Sequence, residues 1–357
     1  MSRVARRPET PAGLGFRMPA EWEPHAATWL AWPHRRSDWP GKLDAIPWVL
    51  AEVVRHLVPG ERVRLLVPDR RRELAARRVL RRTGVPLRHV DFVRARTDRF
   101  WTRDSLPQVV RRDADGTRAL VHWRFNGWAK YADHRHDARL GRVVAARLGL
   151  PCWLPRAGGR RVVLEGGAID VNGRGTLLTT EECLLSPVQA RNPGLGRRGI
   201  ERALAHYLGV RKILWLGAGI AGDDTHGHVD DACRFVGPRT VVAPVCRDRH
   251  DANFAPLAEN RARLRHMTDQ DGRALRVVSL PMPAPLHYDG ERLPASYANF
   301  YVANAVVLVP TFNDPADREA LATFARLFPR RRVVGIHAVD LVLGLGTMHC
   351  MTQQEPR

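Results

Sequence analysis

The sequence predicts an α/β protein, and three observations carry that expectation. Short stretches rich in β-branched residues, bounded by Pro, Gly or Asp, alternate with helical patterns along the chain. No linker-like stretch or shift of composition divides the 357 residues. Polar residues flanked by small ones also recur at or beside apolar strands, at intervals of 61, 63, 71 and 51 residues.

In chain order, the first helical pattern is Leu43–His56, followed by a strand at Arg62–Pro68 and a helix at Arg71–Thr83. Arg118–Phe125 reads as a strand and Asp137–Leu148 as a helix. The strand Thr176–Thr179 precedes the helix Gly199–Leu208, and the strand Thr240–Val245 precedes the helix Pro256–Arg265. Ala305–Pro310 is the next strand. The helix after it, Pro315–Phe328, opens on Asn313-Asp314-Pro315, an N-cap with proline in the first turn. Arg332–Gly335 closes the series as a strand. The recurring polar positions are Asp104, Glu165, His228 (with Asp230), Asn299 and Cys350. Their spacing suggests several copies of one β/α unit, each delivering a side chain to a shared centre. An open, unrepeated sheet fits the same element order.

Composition removes several classes. Hydrophobic residues make up 44% of the chain, with 10 Trp and 10 Phe, enough for a sizeable core. No apolar run approaches the roughly 18–20 residues that span a bilayer. Residues 1–16 form a basic tail without the apolar stretch of a secretory signal. The five cysteines are scattered and contain no CxxC pair, which argues for a reducing cytoplasm and against a disulfide framework or structural zinc. The net charge of +20 raises nucleic-acid binding. Yet lysine occurs only at 42, 130 and 212, and the arginine runs at 70–72, 160–161 and 330–332 are dispersed. A solvated basic surface is the better account, with neither nucleic acid nor membrane as partner.

Two segments carry chemistry. Cys350 follows Gly344-Leu345-Gly346-Thr347-Met348-His349, whose glycines let backbone approach a ligand. A nucleophilic cysteine needs a base or cation that favours its thiolate. His228 can supply it. His349 is the poorer base, because neighbours on a strand point to opposite faces. The second segment, Asp223 to Asp231, contains His226-Gly227-His228-Val229-Asp230. On a strand, His226, His228 and Asp230 would share a face. That arrangement suits a binuclear metallohydrolase as well as a thiol enzyme, although Asp231 stands where such a metal motif usually has another histidine.

These residues, with others in order along nearly the whole chain, are similar to one family. Met18 to His25, Trp101-Thr102-Arg103-Asp104, Phe125-Asn126-Gly127-Trp128, Glu165-Gly166-Gly167, Leu177 to Cys183, Gly222 to Asp231, Ala295 to Phe300 and Met348 to Gln354 resemble the agmatine deiminase and bacterial peptidylarginine deiminase-like group of the guanidino-modifying (pentein) superfamily. The resemblance implies a five-bladed α/β propeller with pseudo-fivefold symmetry, forming a single catalytic domain over 17–357, with no metal or organic cofactor, and commonly a homo-oligomer, here a dimer. It implies that Cys350 is the nucleophile and His228 the acid–base. Asp104 and Asp230 would grip the guanidinium, and Glu165 would orient His228.

Physical chemistry supports that set. A guanidinium is planar, donor-only and permanently charged, so paired carboxylates bind it in a fixed plane. Held over the Cys350 sulfur, its central carbon is attacked effectively intramolecularly. Agmatine is the leading substrate, to be converted to N-carbamoylputrescine and ammonia. Arginine, peptidyl-arginine and an amidinotransfer reaction are the alternatives. For the distal end of the substrate the candidates are Asp223, Asp224, Glu182, Trp101 and Trp128. Three departures from the family pattern bear on the site walls: Leu106, Leu345 and His226.

Overall fold

Five sheets carry the fold, and the same local order builds each one. An antiparallel pair is followed by a helical connection that returns a strand parallel to the second. The chemistry of pairing explains this: antiparallel neighbours need only a tight turn, whereas parallel neighbours need a crossover. Gln108–Arg112 pairs with Arg118–Val121, and the helix Leu140–Leu148 leads to Cys152–Trp153. Asp170–Val171 pairs with Thr176–Thr180, and the helices Glu181–Leu185 and Arg197–Leu208 lead to Lys212–Leu216. Arg234–Gly237, Thr240–Val245, the helix Phe254–Arg265 and Arg276–Pro281 repeat the order. So do Tyr301–Val302, Val306–Thr311, the helix Ala316–Leu327 and Arg332–His337.

The fifth sheet joins the two ends of the chain. Gln353–Pro356 runs antiparallel to His25–Ala31, which lies parallel to Arg62–Val67 after the helix Ile46–Leu57. Val90–Arg94 adds a further parallel strand after the helix Arg70–Arg82. This is the mixed α/β architecture the sequence predicts. The strands it does not announce are His25–Ala31, Val90–Arg94, Gln108–Arg112, Lys212–Leu216 and Arg276–Pro281; in the first, nearly all of HAATWLA is buried and no alternation of polar residues marks it.

The computed structural model describes residues 10–357. The expected tail therefore lies outside the described residues up to position 9. Beyond it, Ala12–Leu14 form a 3-10 turn, and Phe16, buried, pairs with Arg112. Residues 10–16 of the expected tail are thus described, and Phe16 among them packs in a sheet. The helix expected at 137–148 opens with a separate 3-10 turn, Asp137–Arg139. Asp314 does act at the start of its helix, accepting the Ala316 amide at 2.8 Å. Among the described residues no helix is long and apolar enough to cross a membrane.

One regularity positions the site. In every sheet the chain makes a tight turn just before its first antiparallel strand, and each turn carries one of the recurring polar residues. Asp104 lies in the short helix Thr102–Ser105, and Glu165 precedes the 3-10 turn Gly166–Ala168. His228 and Asp230 flank the start of Val229–Asp231. Asn299 lies just before Tyr301–Val302, and Cys350 just before Gln353–Pro356.

Candidate active site

Two consecutive glycines let these turns meet. A Cβ on Gly166 would stand 2.2 Å from the Arg103 carbonyl oxygen. One on Gly167 would stand 2.5 Å from His228 Nδ1 and 3.0 Å from both Asp104 Oδ1 and Asp230 Oδ2. Any larger residue would push three functional groups apart, which is the physical reason for Glu-Gly-Gly. The Gly167 amide also donates to Asp104 Oδ1 at 2.9 Å. Trp128 Nε1 donates to Asp104 Oδ2 at 2.9 Å. The carboxylate is thereby fixed in its plane.

Asp230 is held from the other side. His349 Nδ1 lies 2.6 Å from Asp230 Oδ2, and His349 Nε2 lies 2.9 Å from Glu21 Oε2. The ring thus bridges the two carboxylates. Arg103 and Arg234 close the network, 3.1 and 2.9 Å from Glu21. Asp230 Oδ1 is left buried with no partner among the described residues.

Glu165 is fully buried, with Arg191 Nε 3.2 and 3.3 Å from its two oxygens. Burial alone would raise its pKa, but the Arg191 charge and then His228 outweigh it and take Glu165 down to about 2. His228 Nε2 stands 3.7 Å from Glu165 Oε2, an ion-pair contact too long for a formed hydrogen bond. His228 Nδ1 is 4.0 Å from both Asp104 and Asp230. Neither ring nitrogen has a hydrogen-bond partner among the described residues. Burial opposes the charge on this ring, yet Asp104 foremost, then Cys183 and Glu165, raise its pKa well above the usual histidine value.

Cys350 is buried, and its thiol touches Asn299 Nδ2 at 3.1 Å and Asp230 Oδ2 at 3.8 Å. Asn299 Oδ1 also accepts the Thr347 hydroxyl at 2.8 Å and the His349 amide at 3.0 Å, clamping the cysteine turn. Burial pushes the Cys350 pKa well up, and the charges of Asp230, Asp231 and Asp104 push it further, against a smaller lowering by Asn299. Asp104 is raised by burial and by its acidic neighbours Asp230 and Glu165, with His228 opposing. With no cation bound, the site thus favours the thiol over the thiolate.

Several expectations are revised. Residues 224–227 are turn and bend rather than strand, so His226 and His228 do not share a face. His226 turns away to Ser186 Oγ at 3.1 Å, with φ at 62°. The three-residue metal reading thus loses its first ligand. Among the described residues the ligand atoms that do lie within 4.8 Å of one another are those of Glu165, Cys183 and His228, and Arg191 already supplies the cation to Glu165 there. Cys350 also sits in a turn, so the opposite-faces objection to His349 does not hold. His349 is placed not as the base but as the clamp on Asp230. Glu21, Arg191 and Asn299 are the other partners missed as such. Only Asn299 carried a signal, its place in the spacing.

The thiol opens into a cavity of about 460 Å³ whose wall includes Trp101, Trp128, Asp104, Tyr131, Asp38 and Asp224. Trp101 packs where a Cβ on Gly346 would stand 2.9 Å from its ring. Asp224, expected as a contact for the distal end, has both oxygens engaged, one by Lys130 and one by the Tyr131 hydroxyl at 2.6 Å. Asp223 accepts the Gly227 and His228 amides at 2.8 and 2.9 Å and holds the histidine loop. Glu182 accepts the Gly219 amide at 2.7 Å. Leu106 takes an ordinary extended φ of −87°, so it needs no glycine, whereas Leu345 takes the left-handed φ of 67°.

Residues 17–356 match the family described as Porphyromonas-type peptidyl-arginine deiminase. The chain is 37% identical to an agmatine deiminase of Medicago truncatula, over 97% of this chain and 98% of that one. It is equally identical to an agmatine deiminase of Stutzerimonas stutzeri, over 97% of each. Its structure resembles an Enterococcus faecalis agmatine deiminase with a TM-score of 0.88 at 32% identity, covering 98% of each chain. An amidinotransferase from Microseira wollei shares the fold at 12% identity, with a TM-score of 0.52 over 96% of this chain and 97% of that one.

Proposed function

The chain belongs to the Porphyromonas-type peptidyl-arginine deiminase family, and from that premise we propose that it hydrolyses agmatine to N-carbamoylputrescine and ammonia. The observation that carries this reading is the set of buried atoms beside Cys350 that lack partners. Asp230 Oδ1 accepts, and both His228 nitrogens are free to exchange a proton. A guanidinium fits between Asp104 and Asp230, donating to both carboxylates. Its charge lowers the thiol pKa, so the thiol gives up its proton to solvent once substrate arrives and the thiolate is the nucleophile.

The Cys350 sulfur bonds to the central guanidinium carbon and gives a tetrahedral adduct. His228, as the imidazolium, protonates the departing nitrogen, and ammonia leaves an amidino-thioether. Water then adds to the same carbon while His228 accepts its proton. Collapse breaks the carbon–sulfur bond and releases the ureido product and the thiolate. Glu165, held by Arg191, favours the imidazolium at each protonated stage.

The cavity mouth supports the amine over the amino acid. A carboxylate-bearing substrate needs a free cation, but Arg99 is bound by Asp38 and Asp133 at 2.8 and 2.9 Å, and Arg35 pairs with the same two acids. Asp38 Oδ2 is buried with no partner among the described residues, on the wall of the cavity that holds Cys350. The distal ammonium of agmatine meets acids there. The same reading includes five sheets closed as blades about a pseudo-fivefold axis, a homodimer and a cytoplasmic setting. The test is a screen of agmatine, arginine and peptidyl-arginine for ammonia and ureido product, with Cys350→Ser as control. Agmatine should have the highest kcat/KM; turnover of arginine as fast or faster would remove the assignment.

A further inference from the structure

A second cavity, of about 490 Å³, shares no lining residue with the one at Cys350. Its wall contains Arg139, Arg142, Arg161, His122, Cys152 and Leu154, and no carboxylate. At the Cys350 cavity, by contrast, the arginines are matched by acids, Arg35 and Arg99 by Asp38 and Asp133. Arg147, five residues beyond Arg142, lies 3.6 Å from Asp91. Among the described residues, Arg139, Arg142 and Arg161 enter no such pair.

Two buried nitrogens here also lack partners. His122 is only 6% exposed, and its Nε2 finds no hydrogen bond among the described residues. Arg161 Nε is likewise buried and unpartnered, although its Nη2 donates to the His122 carbonyl at 2.6 Å. The His122 ring is wedged against the first turn of the helix Leu140–Leu148, where a Cβ on Gly141 would stand 2.2 Å from Nδ1. The amide end of a helix favours negative charge. Beside it, Arg156 and Arg161 face each other across a two-strand hairpin, a like-charge pairing that costs stability unless something neutralises it. Burial, with Arg161 and Arg142 close by, takes the His122 pKa down to about 4. Cationic crowding of this kind, without an acid, is relieved by an anion.

We propose that this cavity binds a phosphate group, held by Arg139, Arg142, Arg161 and the His122 ring. A tetrahedral oxyanion accepts several charge-assisted bonds at once, which suits three guanidinium-bearing side chains lining one cavity. The volume exceeds that of the free ion, and Leu154 and Cys152 offer an apolar wall to an organic remainder. A small phosphate monoester is therefore the class of ligand expected.

The experiment titrates the full chain calorimetrically with inorganic phosphate and separately with glycerol 3-phosphate, against chloride at matched ionic strength. Saturable binding above the chloride control is expected, tighter for the ester; tighter binding of free phosphate would make the ion itself the ligand of the same site. Arg142→Gln should weaken binding by about tenfold. Its side chain is exposed and, among the described residues, has no hydrogen-bond partner, so guanidine turnover should be unchanged and report an intact fold. Arg142→Gln combined with Arg161→Gln should abolish saturation. No saturable binding by the native chain, or equal affinity in the active Arg142→Gln variant, would overturn the proposal.

Discussion

The floor and the mouth of the Cys350 cavity are both rich in charge, but they handle it in opposite ways. At the mouth, arginine and lysine side chains are matched by Asp38, Asp133 and Asp224, and most oxygens are taken. On the floor, Asp104, Asp230 and Glu165 surround one histidine and one thiol, and buried atoms stand without partners. Close acids in a dry site raise one another's pKa, as Asp104 shows. A cation arriving there meets Asp104 and the unpartnered Oδ1 of Asp230. At the mouth it gains little, except beside Asp38. The floor therefore fixes the reaction, and the mouth adjusts which guanidine enters.

Breaking the floor should cost most. Cys350→Ser should lower kcat by at least about 10³-fold, measured as ammonia release, while agmatine still binds. Asp104→Asn and Asp230→Asn should each lower kcat/KM by about 10²-fold, because each leaves a buried donor network mismatched. His349 gives a sharper test, since its two nitrogens serve different acids. His349→Asn keeps a donor near Nδ1 for Asp230 and should lose roughly tenfold in kcat/KM. His349→Gln places its donor toward Glu21, abandons Asp230 and should lose more. Equal losses would show that His349 only supports the fold.

Changes at the mouth should be smaller. Asp224→Asn, whose oxygens are already engaged, should alter KM for agmatine by only a few-fold, while Asp38→Asn raises it by about tenfold and spares butylguanidine, which has no ammonium. The smallest expected effect lies at Leu345. Its left-handed backbone costs roughly 1 kcal/mol, so Leu345→Gly should leave stability in denaturant unchanged or slightly raised, the relieved strain offsetting the added chain entropy.

How much was legible in the sequence follows the same division. Asp104, Glu165, His228, Asp230 and Cys350 could be singled out because their local motifs resemble the family's, and each lies shortly before the first antiparallel strand of a sheet, which also imprints a spacing on the chain. The strands with β-branched runs, such as Thr240–Val245, matched their expected bounds closely. His25–Ala31 did not stand out, since a strand buried along nearly its whole length has no polar alternation. The shared face of His226, His228 and Asp230 held only if they lay on a strand, but Asp223 accepts four local hydrogen bonds and curls the segment into a loop. Glu21 and Arg191 were invisible as partners, because their contacts with His349 and Glu165 depend on how distant turns converge.

The same floor predicts a particular pH response. In the empty site Cys350 is raised by burial and by three acids, so its alkylation by iodoacetamide should be slow at neutral pH and rise as pH increases. A bound guanidinium supplies the missing positive charge and should move thiolate formation to lower pH. The shift can be read from thiolate absorbance with a non-reacting guanidine ligand.

The most direct test of the central claim is the mass of the protein quenched with acid during agmatine turnover. An adduct of agmatine less ammonia should appear on the peptide that contains Cys350, accumulate when deacylation is slowed, and be absent in Cys350→Ser. Full turnover with no adduct at any quench time, or ureido product formed by Cys350→Ser at the native rate, would contradict nucleophilic attack by this cysteine.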